Sequence, residues 1–285
     1  MIGFSFSTLE EIQNCFNSCG TWQKIIGKQF ENNCKFVYLL LIKIQHYMQI
    51  KYYHTYGFVF VKFSAKILVV GNYPSMEIID LINTKLKSDI MMCENGSRES
   101  AAGAILQNKP LCFGGHINDD DSTSVSVIGM PNAWSSNMMI PRSSMSSVVL
   151  NDSKIWITGG FSNNGGLKST EFFSLDQPAV PGPDLPFKVY DHSMVLVNCA
   201  TIYLIGGFQD DHTSNRTWII DPTNNFQTKV GPSLNIARNW HSCSKMTIKG
   251  RIFLVVAGGH NHGKTLDSVE LLDTTCPDKG WKMGM

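Results

Sequence analysis

The chain has 285 residues, with 24 basic and 23 acidic side chains and a formal net charge of +1. That balance lacks the basic excess of a nucleic-acid-binding domain. At 43% hydrophobic and 16% charged, the chain is too apolar to remain disordered and long enough to bury a large core. Residues 1–55 show no clear period and are left as an unassigned N-terminal segment. Met1–Glu11 lacks the basic start of a signal peptide. The most apolar stretch, Phe36–Ile50, is broken by Lys43, Gln45 and His46, short of the ~20 apolar residues that a membrane span needs. No membrane span is expected, and the compartment stays open.

From residue 56 onward an apolar run ending in glycine recurs. It reads Ile67–Val70 before Gly71, Leu111–Phe113 before Gly114-Gly115, and Ile155–Thr158 before Gly159-Gly160. It returns as Ile202–Ile205 before Gly206-Gly207 and Phe253–Ala257 before Gly258-Gly259. The leading glycines stand 43, 45, 47 and 52 residues apart, a period that signals stacked supersecondary units. Before each pair lies another apolar stretch: Ser100–Leu106, Ser144–Leu150, Ser193–Val197 and His241–Met246. Spacers such as Asn151-Asp152-Ser153 separate the two, and residues of this kind suit tight hairpins. After each glycine pair come a polar loop and a third strand: Met76–Leu81, Ser124–Ile128, Ser169–Leu175, Arg216–Asp221 and Ser268–Asp273. A late aromatic, Trp134, Phe226 or Trp281, marks the end of three units. Four short strands per unit predict an all-β chain of four-stranded sheets.

A single open sheet cannot bury both of its faces, and packing like units around an axis, as in a β-propeller, solves the problem. The glycines Gly71, Gly114, Gly115, Gly159, Gly160, Gly206, Gly207, Gly258 and Gly259 are expected to serve tight strand ends, where a missing Cβ permits close approach. The glycine pairs, the Ser-x-Glu strands (Ser75-Met76-Glu77, Ser169-Thr170-Glu171, Ser268-Val269-Glu270) and the late tryptophans resemble kelch repeats. The resemblance covers roughly residues 56–285. It implies a kelch-type propeller with about five recognisable blades: 56–97, 98–141, 142–189, 190–237 and 238–285. Such propellers commonly have six or seven, so the chain is expected to be an incomplete ring, a five-bladed ring, or one completed by a degenerate blade from residues 1–55. The family's blade-leading arginines are matched by Arg98, Arg142 and Arg238, with Tyr190-Asp191 in the fourth unit.

The resemblance implies a non-catalytic interaction scaffold with a protein partner, and a binding face at Ser144, His192, Trp240 and His241. Neither cofactor nor metal is expected. His260-Asn261-His262 with His116, His192 and His241 offers the sole copper-like set of donors, which keeps a metal-dependent oxidase or a sugar-modifying enzyme as an alternative. A truncated ubiquitin-ligase substrate adaptor is another. Eight cysteines form no CxxC pair, which argues against structural zinc and leaves thiols and disulfides both open.

Overall fold

The structure is a computed structural model. It describes residues 98–284, apart from 118–119, 129–133, 164, 211 and 249. It also describes the backbone of four earlier strands, Val59–Phe63, Lys66–Val70, Ser75–Asp80 and Met91–Met92. The segment 1–55 and Gly71 lie outside the described residues.

The described chain is all-β, relieved by one short 3-10 turn at Pro277–Lys279. Five four-stranded antiparallel sheets follow one another, each adding its strands in chain order. The four earlier strands form sheet one. Sheet two comprises Ala102–Leu106, Lys109–Phe113, Ser124–Val127 and Ser135–Asn137. Sheet three comprises Ser146–Asn151, Lys154–Thr158, Thr170–Phe173 and Val180–Pro181. Sheet four comprises Ser193–Asn198, Thr201–Ile205, Thr217–Asp221 and Gln227–Val230. Sheet five comprises Ser242–Ile248, Arg251–Ala257, Val269–Asp273 and Lys282–Gly284. The first strands of successive sheets lie side by side, so the sheets stack along a common line.

Side-chain alternation explains the stacking. Successive residues of a strand face opposite ways, and the second strand of each sheet is apolar on both. In sheet three, Ile155 and Ile157 turn toward sheet two, packing with Leu111, Phe113 and Val125. Trp156, between them in sequence, turns toward sheet four and packs with Ile202, Leu204 and Ile220. Sheet four repeats the device: Tyr203 and Ile205 face sheet five and meet Leu254, Val256 and Leu272. Burial of one such Leu or Ile stabilises by roughly 1.5–3 kcal/mol. The late aromatics precede the fourth strands and cover the seams: Trp134 rests edge-on against Phe173, and Phe226 against Trp156. The buried Trp281 donates from Nε1 to the Pro232 carbonyl at 2.8 Å.

The hairpins joining first and second strands differ: those after Asn151 and Asn198 have no left-handed residue, and the asparagine Oδ1 accepts from the Ser153 and Ala200 amides at 3.0 and 2.9 Å, whereas sheet two uses left-handed turn residues. Gln107 and Asn108 both have positive φ, 48° and 61°, as a two-residue turn matched to strand twist requires.

The glycine pairs stand where one sheet meets the start of the next. At Gly206 φ is +57°, and an added Cβ would fall 2.6 Å from the Arg238 carbonyl oxygen, in the segment leading into sheet five. At Gly207 φ is +84°, and a Cβ would fall 2.6 Å from the Tyr190 carbonyl, in the segment leading into its own sheet. The Gly207 amide donates to the Arg238 carbonyl at 2.8 Å. Both the left-handed backbone and the crowding therefore require glycine. Gly114-Gly115 and Gly159-Gly160 repeat this with the lead-ins at Arg142 and Val189. Gly258-Gly259 keeps the positive φ values, but a Cβ on Gly258 would meet nothing nearer than the Leu266 carbonyl at 3.6 Å.

Candidate functional site

At one end of the sheets, the lead-in segments collect. Each pairs with a short hairpin that follows its own glycine pair: Glu99 with His116, Ser143 with Phe161, Tyr190 with Phe208, and Asn239 with His260. These hairpins, such as Phe161–Ser162 with Gly165–Gly166 and His260–Asn261 with Lys264–Thr265, lie at that end.

A string of four residues, one per unit, runs along this end. Ser100, Ser144, Asp191 and Trp240 all have left-handed backbones, with φ of 54°, 52°, 54° and 52°. The Ser144 amide donates to the Ser100 carbonyl at 2.7 Å, Asp191 to Ser144 at 2.8 Å, and Trp240 to Asp191 at 3.1 Å. Left-handed conformations cost Ser and Trp roughly 1–2 kcal/mol each. The string holds them because each satisfies a buried amide or carbonyl of its neighbour.

Beneath the string, charged ties fasten lead-in to sheet. Arg142 is fully buried and donates to Glu171 at 2.6 Å, to the Gly159 carbonyl at 2.7 Å and to the Ser169 carbonyl at 3.0 Å. Glu171 in turn accepts from the Met139 and Ile140 amides at 2.6 and 3.0 Å. Arg238 and Glu270 repeat this in sheet five: Arg238 reaches Glu270 at 2.8 Å and the Gly258 carbonyl at 2.7 Å, and Glu270 accepts from the Asn235 and Ile236 amides. Arg98 makes a reduced version, donating to the Ser124 carbonyl at 3.1 Å.

The fourth unit corrects the sequence alignment. The carbonyl crowding Gly159 belongs to Val189, just as Arg142 crowds Gly114 and Arg238 crowds Gly206. Val189, rather than Tyr190-Asp191, therefore occupies the arginine position. Its partner position on the third strand holds Trp218 in place of glutamate, since Trp218 pairs with Leu204 as Glu171 pairs with Ile157 and Glu270 with Val256. Gln209 supplies the lost donor: its Nε2 donates to the Gly206 carbonyl at 2.9 Å and its Oε1 accepts from Trp218 at 3.1 Å. An ion pair has been exchanged for an apolar pair and one amide.

In this register the residues expected to form a binding face separate into two positions. Ser144 and Trp240 belong to the left-handed string with Ser100 and Asp191, which the sequence reading did not single out. His192 and His241 stand one residue later, equivalent to Met145. They are buried, at 6% and 7% exposure, so they lie inside the seams and not on the surface that was expected for His192. The ring of His192 abuts Gly159, that of His241 abuts Gly206, and the Met145 side chain abuts Gly114. His192 Nε2 is 2.9 Å from Thr158 Oγ1, and the Thr158 hydroxyl donates on to Met194 Sδ at 3.3 Å. His241 Nε2 is 2.8 Å from Ser193 Oγ. Burial pulls both imidazoles down to about 3, so both are neutral.

Asp191 is also buried, at 8% exposure. Burial pushes its carboxyl up to about 6, against hydrogen bonds from the side chains of Ser144, Asn239 and Trp240. One carboxylate thus joins the units on either side of its own.

The outer part of this end is aromatic. Phe161 meets Tyr190 edge-on at 5.3 Å, Tyr190 stacks on Phe208 at 5.1 Å, and Trp240 meets His260 at 5.5 Å. Phe161 is 37% exposed. His116 pairs with Asp121 at 3.1 Å, and His260 Nε2 lies 3.0 Å from Thr265 Oγ1. Among the described residues, no group of three or more His, Cys, Asp or Glu is arranged to hold a metal ion. Cys199, Cys243 and Cys276 are free thiols, and no described helix is long and apolar enough to cross a membrane. Comparison of the chain with protein-family models and with curated proteins finds no match.

Proposed function

We propose that the chain is a kelch-type β-propeller module whose role is to bind a protein partner on the end that carries the lead-in string. The observation that carries this reading is the left-handed string itself. Four successive units contribute one residue each, linked carbonyl to amide, which is how like sheets stacked about an axis share a central edge. The resemblance of the glycine pairs and Ser-x-Glu strands to kelch repeats supports the same arrangement. Beside the string, hairpins present the rings of Phe161 and Phe208 with the lead-in Tyr190 between them, and aromatic side chains are favoured anchors at protein interfaces. Loops held on a rigid scaffold are where binding residues concentrate.

The test is partner capture with the wild-type chain, Phe161→Ser, and Val230→Thr as a control on an outer strand, where Val230 is 68% exposed. The reading expects the same partner to be lost with Phe161→Ser and retained with Val230→Thr. Equal retention, or equal loss, in the two variants would refute the assignment of the face.

A further inference from the structure

The two buried histidines sit at equivalent places in adjacent seams, and each bonds across its seam. Thr158 belongs to sheet three, whereas His192 leads sheet four. Ser193 belongs to sheet four, whereas His241 leads sheet five. The corresponding position between sheets two and three is filled by Met145, which packs against Gly114 and carries no protonatable group. We propose that His192 and His241 are acid-sensitive latches, so that protonation opens the molecule along the seams between sheets three and four and between sheets four and five, while the seam between sheets two and three stays shut.

The geometry leaves no room for a charged ring. The Thr158 hydroxyl is committed to Met194, so His192 must donate from Nε2. Its Nδ1 is then a bare acceptor, buried and without a hydrogen-bond partner. A proton added there creates a desolvated cation with no acceptor. The groups facing the two rings do not offset this: the Ile205 and Arg238 carbonyls favour a charged His241, but they weigh less than burial and its charged neighbours. His241 has Arg238 and His192 as its charged or chargeable neighbours, and both repel a second positive charge. Arg238 is itself held to Glu270. The Cys243 thiol, bonded to Ser193, is pushed up by burial and stays neutral.

The sign follows from linkage. Both imidazoles titrate near 3 in the fold and near 6.5 when exposed. The unfolded or opened form binds more protons between these values, so stability is full above about pH 6.5 and falls as pH drops toward 3. Asp191 acts oppositely, because its carboxyl is raised from 3.8 to about 6. Protonating it relieves a burial cost, which offsets part of the loss between those values. In each seam one histidine with the wider shift outweighs the shared carboxyl.

Amide exchange separates seam opening from general unfolding. The Gly160 amide bonds to Val189 across the first latched seam, Gly207 to Arg238 across the second, and Gly115 to Arg142 across the methionine seam. Protection factors corrected for intrinsic exchange should fall about threefold or more at Gly160 and Gly207 between pH 7 and 4.5, with Gly115 little changed. Met145→His should confer the same sensitivity on Gly115, and His192→Gln should remove it from Gly160. Parallel loss at all three amides, or a Gly115 amide that stays acid-insensitive in Met145→His, would overturn the proposal.

Discussion

Removing the guanidinium of Arg142 tests the buried tie most directly. In Arg142→Met, the Glu171 carboxylate keeps the Met139 and Ile140 amides but loses its cation at 1% exposure. Breaking a buried pair on one side costs about 3–5 kcal/mol, because an uncompensated charge remains. For a domain of this size that corresponds to a fall in melting temperature of roughly 6–20 °C. Glu171→Leu leaves the mirror problem, a buried guanidinium with only the Gly159 and Ser169 carbonyls and the Ser169 hydroxyl. The double variant carries no charge. It orphans two amides and the Gly159 carbonyl at roughly 1 kcal/mol each at the low end, because the Ser169 carbonyl still accepts from the Gly159 amide, so it should cost about 3 kcal/mol and not the sum of the singles. Urea denaturation of the four proteins gives the coupling directly, expected near 3 kcal/mol. Single variants within about 1 kcal/mol of wild type, or strictly additive effects, would refute the assignment of Arg142 and Glu171 as one buried unit.

Three further perturbations use contrasts between the units. Gly206→Ala should lose roughly 2–5 kcal/mol through left-handed strain plus the clash with the Arg238 carbonyl, whereas Gly258→Ala should lose only the strain, about 1–2 kcal/mol, because its Cβ site is open to 3.6 Å; equal melting temperatures would argue against the crowding. Val189→Arg alone should destabilise by several kcal/mol as a buried unpaired cation, and adding Trp218→Glu should recover part of that loss in thermal melts. No recovery would sink the equivalence of unit four with its neighbours. Asp191→Asn should equal or exceed wild type at pH 7 in urea titrations, with the difference closing as pH falls from about 6 to about 4, because the raised carboxyl costs stability only when ionised. A gap that widens on acidification would reverse the sign argued here.

The strands were legible because burial on both faces of a second strand demands an unbroken apolar run, and Ile202–Ile205 before Gly206 displays it. Third strands starting at Ser124, Thr170 and Thr217 fall within a residue or so of their expected starts for the same reason. The lead-in register was not legible in the fourth unit. There both members of the ion pair changed chemical type together, Val189 for arginine and Trp218 for glutamate, so no residue marks the position and only backbone crowding at Gly159 reveals it. A co-occurrence was available: Arg142 travels with Glu171 and Arg238 with Glu270, and the unit lacking the arginine also lacks the glutamate. The burial of His192 and His241 had no such signal, because a histidine beside a polar strand start reads equally as surface. The Asp191 hub joins Ser144 to Asn239 and Trp240 through contacts some fifty residues away in the chain, beyond the reach of local pattern.

Because the pairs Gly114-Gly115, Gly159-Gly160 and Gly206-Gly207 are each matched by the segment that leads into the following sheet, the heritable module is out of phase with the sheets themselves. A gene rearrangement that excised one whole sheet at its loop boundaries would leave a glycine pair facing a lead-in of the wrong chemistry, such as the Arg142 tie meeting the Gln209 solution. Cuts placed just ahead of Arg142, Val189 and Arg238 keep each tie with its own sheet, and the preceding glycine pair then meets the next lead-in through backbone atoms. The positions of Arg142, Val189 and Arg238, two residues ahead of the left-handed string, therefore mark the joints at which this architecture can gain or lose units, and recombination libraries cut just before them should yield more folded chains than libraries cut between them and their sheets.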